Sequence, residues 1–102
     1  MYKICFYVPE NNLDEVKDAM FTAGAGKIGN YSNCCWQTKG RGQFKPLAGS
    51  NPQLGQHHKI CFVEEYKVEM TCEDHLLEHL LKVLRNNHPY EEPAYEAYKI
   101  IT

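Results

Sequence analysis

The chain has 102 residues, enough for one hydrophobic core and too few for two, so a single domain spanning 1–102 is expected. With 43% hydrophobic and 24% charged residues it reads as a soluble globular protein, and no apolar run approaches the roughly 18 to 20 residues that span a bilayer, which leaves out a membrane segment. The net charge of −2 conceals a division: Lys39, Arg41, Lys45 and Lys59 fall between positions 39 and 59 without an acid, whereas positions 64 to 102 carry nine acids against four bases.

The five cysteines (Cys5, Cys34, Cys35, Cys61, Cys72) are odd in number and show no C-x-x-C spacing, which fits a reduced compartment. The short apolar run at the N-terminus is followed by Pro9-Glu10-Asn11-Asn12 and not by a small-residue cleavage site, so the expected location is the cytoplasm.

Residues 2 to 8 alternate, with Tyr2, Ile4, Phe6 and Val8 on one face and Lys3, Cys5 and Tyr7 on the other, the period of a strand. Pro9 ends it. Asn11 or Asn12, with Glu15 as a capping-box partner, predicts the start of a helix over about 13 to 23 whose stripe is Leu13, Val16, Met20 and Ala23. Gly24-Ala25-Gly26-Lys27-Ile28-Gly29 matches G-x-G-x-x-G, but it follows a helix instead of opening one, so a glycine C-cap and a tight turn are expected in place of a dinucleotide site.

Residues 31 to 38, rich in aromatics and threonine, predict a second strand, and the glycines and prolines from Gly40 to Gln56 predict a long loop in which neither strand nor helix persists. Loops of that length are usually functional or disordered. Alternation resumes from Lys59 to Met70 as a third strand, with Glu64 on its apolar side pointing to a bulge or a strand end. Thr71 is placed to cap a second helix over about 72 to 86, striped by Leu77, Leu80, Leu81 and Leu84, and residues 95 to 101 complete a fourth strand. The order β-α-β-β-α-β predicts an α+β, ferredoxin-like domain: a four-stranded antiparallel sheet with both helices on one face. The other face would carry Cys5, Tyr7, Cys35, Cys61 and Val63, apolar enough that self-association is expected to cover it.

Six residues between helix and last strand, His88-Pro89-Tyr90-Glu91-Glu92-Pro93, hold an imidazole, a phenol and two carboxylates between two prolines. Each proline fixes its own φ and pushes the residue before it out of the α region, so this corner should be extended and stiff. His88, Glu91 and Glu92 offer one nitrogen and up to four oxygens, a set that suits Zn²⁺ or another divalent ion once a neighbouring subunit adds ligands; the alternative is a structural corner with buried rings and carboxylates bonded to backbone. No nucleophile or second base is placed beside it, so no catalytic residue is assigned. Arg41 and Lys45, flanked by glycines, could hold a small anionic ligand on bare backbone N–H groups, with Phe44 and Tyr90 stacking beside it; packing between subunits is the competing role for the loop. These few cations are too sparse for a nucleic-acid surface.

The remaining candidates carry less. His75 and His79, with Glu78 nearby, have H-x-x-x-H spacing but read as a solvated helix face, and His57 and His58 should point to opposite sides of a strand start. Cys34 and Cys35 read as strand cysteines acting as small hydrophobes.

Gly24-x-Gly26-x-Ile28-Gly29-x-Tyr31-x-x-Cys34, then Gly40-x-Gly42-x-Phe44-x-Pro46-x-x-Gly49-x-x-Pro52-x-x-Gly55, together with His88-Pro89-Tyr90-Glu91-Glu92-Pro93-Ala94, resembles the domain inserted in YqfO-type members of the NIF-three-like family over nearly the whole chain. That domain is similar in turn to the divalent-cation-tolerance protein CutA, which shares the His-Pro-Tyr-Glu-x-Pro pattern, and more distantly to PII signalling proteins. The resemblance implies a ferredoxin-like fold and a homotrimer, and places the glycine-rich loop where PII-like proteins carry their regulatory arm. The dinuclear metal site of the larger family members lies on flanking domains that these residues do not include, so its catalysis does not transfer. Three functional expectations follow: a small homotrimeric binding or regulatory protein taking a divalent metal or small anionic ligand at subunit clefts; an interaction or assembly module for a partner enzyme; and, third, a metal-dependent hydrolase.

Overall fold

Alternation in the first strand is realised as burial. In the computed structural model, which describes residues 1–102, Ile4, Phe6 and Val8 of β1 (Tyr2–Pro9) are fully buried on one face. α1 spans Glu10–Thr22, β2 Trp36–Phe44, β3 Cys61–Cys72, α2 Leu77–Asn87 and β4 Tyr95–Lys99, with a short 3₁₀ turn at Asp74–Leu76 before α2. The sheet is antiparallel in the order β2-β3-β1-β4, the ferredoxin-like arrangement expected. Leu13, Val16 and Met20 from α1 and Leu80 and Leu84 from α2 meet Ile4, Phe6, Val8, Val68, Met70 and Cys72 from the sheet in one core. Truncating a large member of such a core costs about 2–5 kcal/mol. No helix is long and apolar enough to cross a membrane.

Several boundaries differ from expectation. α1 begins at Glu10, directly after Pro9 (φ −66°, ψ 154°), and no side chain caps it, so neither Asn11 nor Asn12 is the cap. A proline with its fixed φ serves as well as a polar cap where the strand turns straight into the helix. At its other end α1 closes in a Schellman motif: the Ala25 N–H donates to Met20 O and the Gly24 N–H to Phe21 O, with Gly24 at φ +114°. The G-x-G-x-x-G match is this C-cap and the turn after it.

Thr71 caps nothing. It is the partner of Lys3 within β3, its hydroxyl is buried without a hydrogen-bond partner, and β3 runs on to Cys72. The segment after it enters as the 3₁₀ turn, so His75 lies outside α2 and shares no regular helix face with His79; both are exposed. Asp74 in that turn bonds both the N-terminal amine and Lys99, tying the chain's start to β4.

The second strand departs most. Residues 31 to 35 are irregular, with a lone bridge between Ile28 and Tyr31, and β2 runs from Trp36 through Gly40 and Gly42 to Phe44. Its register against β3 is unbroken from Trp36–Glu69 to Phe44–Cys61, so there is no bulge at Glu64; that side chain instead pairs with Lys39 at 3.6 Å. β1 reaches along β3 only to Glu65, so the outer part of the β2–β3 hairpin overhangs the rest and the molecule measures 47 × 24 × 23 Å. The helices do not cover that overhang. On their side of it Phe62 stays half-exposed and packs under Arg41, whose Cζ lies 4.0 Å from the ring centroid.

The open sheet face is more polar than expected. Register places Glu65, Lys67 and Glu69 of β3 there beside Cys5 and Tyr7 of β1, with Trp36 of β2 exposed at 70%. Cys35 packs against the core side instead, and Cys34 and Cys35 are half-buried in irregular chain, not on a strand.

Candidate functional site

The site is assembled where two stretches distant in sequence meet: the segment after β2 and the corner after α2. Past Phe44 the chain folds back on itself. The His58 N–H donates to Pro46 O at 2.6 Å, the Ser50 N–H and Oγ both reach Leu47 O, and the His57 ring bonds Ser50 O at 2.9 Å. A carbonyl only accepts, so His57 carries its proton on Nε2. His58 sits at φ +62°. His57 and His58 lie in a turn ahead of β3 and not at a strand start, with ring centroids 6.3 Å apart; the ring of the first and the backbone N–H of the second close residues 46 to 58 into a compact loop with neighbouring ends.

The corner is fastened just as firmly. β4 pairs with β1 only as far as Phe6, and beyond that His88 takes the ladder's place: its Nε2 donates to Tyr7 O at 2.6 Å, while Nδ1 accepts the Tyr90 N–H at 3.1 Å. The ring is 8% exposed and lies 4.9 Å from the Tyr90 ring. These bonds specify the neutral Nε2–H tautomer, and burial holds the imidazole below its ordinary value, against the weaker pull of the Tyr7 carbonyl.

Tyr90 then crosses to the open sheet face, where its hydroxyl donates to Glu65 Oε2 at 3.3 Å. Burial, then the Glu65 charge, pushes the phenol up to about 12, and burial likewise raises the Glu65 carboxyl, with the Tyr90 bond opposing. Room for Glu65 comes from the facing strand: a Cβ at Gly42 would lie 2.1 Å from Glu65 Oε1. Glycine at 42 thus gives the Glu65 carboxylate its place by close approach and not by backbone conformation; a larger residue would push that side chain aside.

Glu91 joins the two halves. Its Oε2 accepts the Asn51 N–H at 2.6 Å, holding the loop against the corner. Between them lies a cleft of about 220 Å³ lined by Phe44, Pro46, Ser50, Pro52, Gln53, Leu54, Tyr90, Glu91 and Glu92.

Four expected site residues thus come together here: Phe44, Tyr90, Glu91 and Glu92. Three others do not join them. Arg41 is spent on Phe62, and Lys45 is exposed and outside the lining, so the anion cradle drawn from the loop's cations is not assembled. His88 has both ring nitrogens bonded to backbone, and no group of three or more His, Cys, Asp or Glu side chains is placed to hold a metal ion, so the set His88, Glu91 and Glu92 does not converge within one chain. The physical reason is the corner's geometry, which turns the histidine inward to complete the sheet and the carboxylates outward to the loop. Glu65 went unnoticed in the sequence. A glycine pair, Gly40-x-Gly42, on a strand facing an acidic residue is the signal that points to it, because glycines opposite a long side chain leave space for it to lie flat.

No family model matches the chain. A protein of Halalkalibacterium halodurans named GTP cyclohydrolase 1 type 2 homolog is 42% identical over 100 residues, which are 98% of this chain and 27% of that protein. Among solved structures, a Bacillus cereus protein related to NIF3 superposes with a TM-score of 0.85 at 35% identity, over 99% of this chain and 26% of that one. CutA1 from Pyrococcus horikoshii superposes with a TM-score of 0.72 at 16% identity, over 98% of this chain and 83% of that one, a likeness of fold. The chain is therefore similar along almost its whole length to one segment of NIF3-related proteins, has the CutA fold, and spans about a quarter of the length of the curated relatives it matches.

Proposed function

We propose that the chain is a binding or regulatory module that holds a small ligand in the cleft between the β2–β3 loop and the His88–Pro93 corner. One observation carries the reading: the two stretches that stand out in the sequence, far apart along it, fold against each other, are latched by Glu91 and Asn51, and enclose a cleft with aromatic, proline and carboxylate walls. Such a concave site, largely apolar with a few polar groups, is the usual form of a small-ligand pocket. Isothermal titration with small ligands of each charge type tests it, with Phe44→Ala as the control that empties a wall; silence from all of them removes the binding role. A divalent metal at this corner would require His88 to leave its two backbone bonds, or ligands from a neighbouring subunit.

Self-association, as a homotrimer in the cytoplasm, is part of the same proposal. What supports it is the fold shared with CutA1, the unpaired outer edge of β2, and the exposure of Trp36 on that strand and of Ile28 and Tyr31 in the segment before it. Sedimentation velocity showing a monomer at micromolar concentration would contradict it. A second reading, an interaction or assembly module acting on a partner enzyme, is favoured by the chain's matching about a quarter of proteins named for a cyclohydrolase. A metal-dependent hydrolase activity would then reside with residues equivalent to the rest of those relatives.

A further inference from the structure

The charge of the cleft is the opposite of what the loop's composition suggests. Although positions 39 to 59 hold four cations and no acid, none of those cations lines the cleft, and its only charged lining residues are Glu91 and Glu92. Glu91 spends Oε2 on the Asn51 N–H, and its other oxygen makes no bond within the chain. The same cleft is lined by the rings of Phe44 and Tyr90 and by the apolar side chains of Pro46, Pro52 and Leu54. Aromatic faces attract cations through their quadrupole, and two carboxylates in the lining add a favourable field; the same pair would repel an anion. The volume of about 220 Å³ lies below the roughly 300 to 1,000 Å³ of a drug-sized site.

We infer that the cleft receives a small organic cation, an ammonium or guanidinium group carried on an apolar stem. The inference rests on the binding role proposed above and adds the ligand's class to it. The stem lies against Phe44 and the prolines, and the charged head faces Glu91 and Glu92. Gln53 and Ser50 supply neutral polar atoms nearby, but the Ser50 hydroxyl already donates to Leu47 O, so Gln53 is the freer of the two. The same chemistry is available from a free amine or from a lysine or arginine side chain of another polypeptide, and the two differ in whether flanking backbone improves binding.

Isothermal titration of the whole chain with four probes separates these outcomes: phenethylammonium, the matched anion phenylpropionate, the neutral phenethyl alcohol, and a Gly-Lys-Gly tripeptide blocked at both ends. The expected result is a cation bound at least about tenfold more tightly than the matched anion, with the preference lost in the Glu91→Gln, Glu92→Gln double variant. Glu91→Gln keeps a side-chain oxygen to accept the Asn51 N–H, so the loop stays latched; Glu92→Gln alone, expected to lose part of the preference, is the check should the double variant misfold. Tighter binding of phenethylammonium than of the tripeptide assigns a free amine, and the reverse order a basic side chain. Anion or alcohol bound as well as the cation overturns the inference and leaves the cleft as a binding site. No heat from any probe, with folding confirmed by circular dichroism, overturns both.

Discussion

The Tyr90 hydroxyl donates to Glu65 Oε2 across 3.3 Å, joining the corner after α2 to the open face of the sheet. One wall of the cleft is thereby held by a side chain outside it. Tyr90→Phe keeps the ring and removes the bond, and is expected to cost about 1 kcal/mol of folding stability in urea titration. Ligand affinity should change less than for Tyr90→Ala, which removes the wall itself.

Gly42 makes that bond available by leaving the space in which Glu65 lies. Alanine at 42 displaces the carboxylate and breaks its contact with Tyr90, a loss of about 1 kcal/mol that is largely offset by the usual gain of about 0.5–1 kcal/mol from replacing a strand glycine. In a Glu65→Ala background the same change should be neutral or stabilising, because only the gain remains. A double-mutant cycle on urea midpoints measures the coupling, and additive effects would show that the two residues do not share the space.

His88 makes stability depend on pH. Its buried imidazole titrates below the ordinary 6.5, so as pH falls under that value the unfolded chain takes up a proton that the folded one refuses. Its contribution is complete above about pH 6.5 and is lost as pH drops toward the folded-state value. Glu65 runs the other way. With its value raised above the ordinary 4.5, the stability it contributes is present below that pH and is lost as pH rises through the folded value. Urea midpoints taken from about pH 8 down to about pH 4.5 should therefore fall less steeply below 6.5 in His88→Gln than in the native chain, and more steeply in Glu65→Gln, which removes the opposing contribution.

Glu91 should govern access to the loop. With the Asn51 contact gone, Glu91→Ala is expected to speed proteolytic cleavage between residues 46 and 58, whereas Glu91→Gln, which can still accept that N–H, should resist nearly as well as the native chain. Equal cleavage of all three would show that the loop is held by its own bonds, from His58 to Pro46 and from His57 to Ser50, without the corner.

The layers of the fold were legible wherever a side chain's burial decided the pattern. Ile4, Phe6 and Val8, the stripes Leu13-Val16-Met20 and Leu80-Leu84, and the element order follow from periodicity alone, and the family resemblance agrees with the comparisons. The pattern failed where burial does not decide. β2 passes through Gly40 and Gly42 because an overhanging edge strand needs only backbone pairing with β3, and turn-forming residues therefore mislead there. Thr71 has the chemistry of a cap but lies in register opposite Lys3, so the ladder takes precedence. Of the site, Phe44, Tyr90, Glu91 and Glu92 could be picked out as unusual, but that they face one another, and that Arg41, Lys45 and His88 do not join them, depends on contacts between positions some forty residues apart, such as Asn51 with Glu91.

Binding of a small organic cation in the cleft is tested most directly by amide chemical-shift mapping of the native chain titrated with phenethylammonium. Saturable shifts centred on Phe44, Gln53, Leu54 and Tyr90 to Glu92 are expected, with the indole of Trp36 unmoved. Shifts centred on Trp36 and Glu69 of the open sheet face, or none at all, would contradict it.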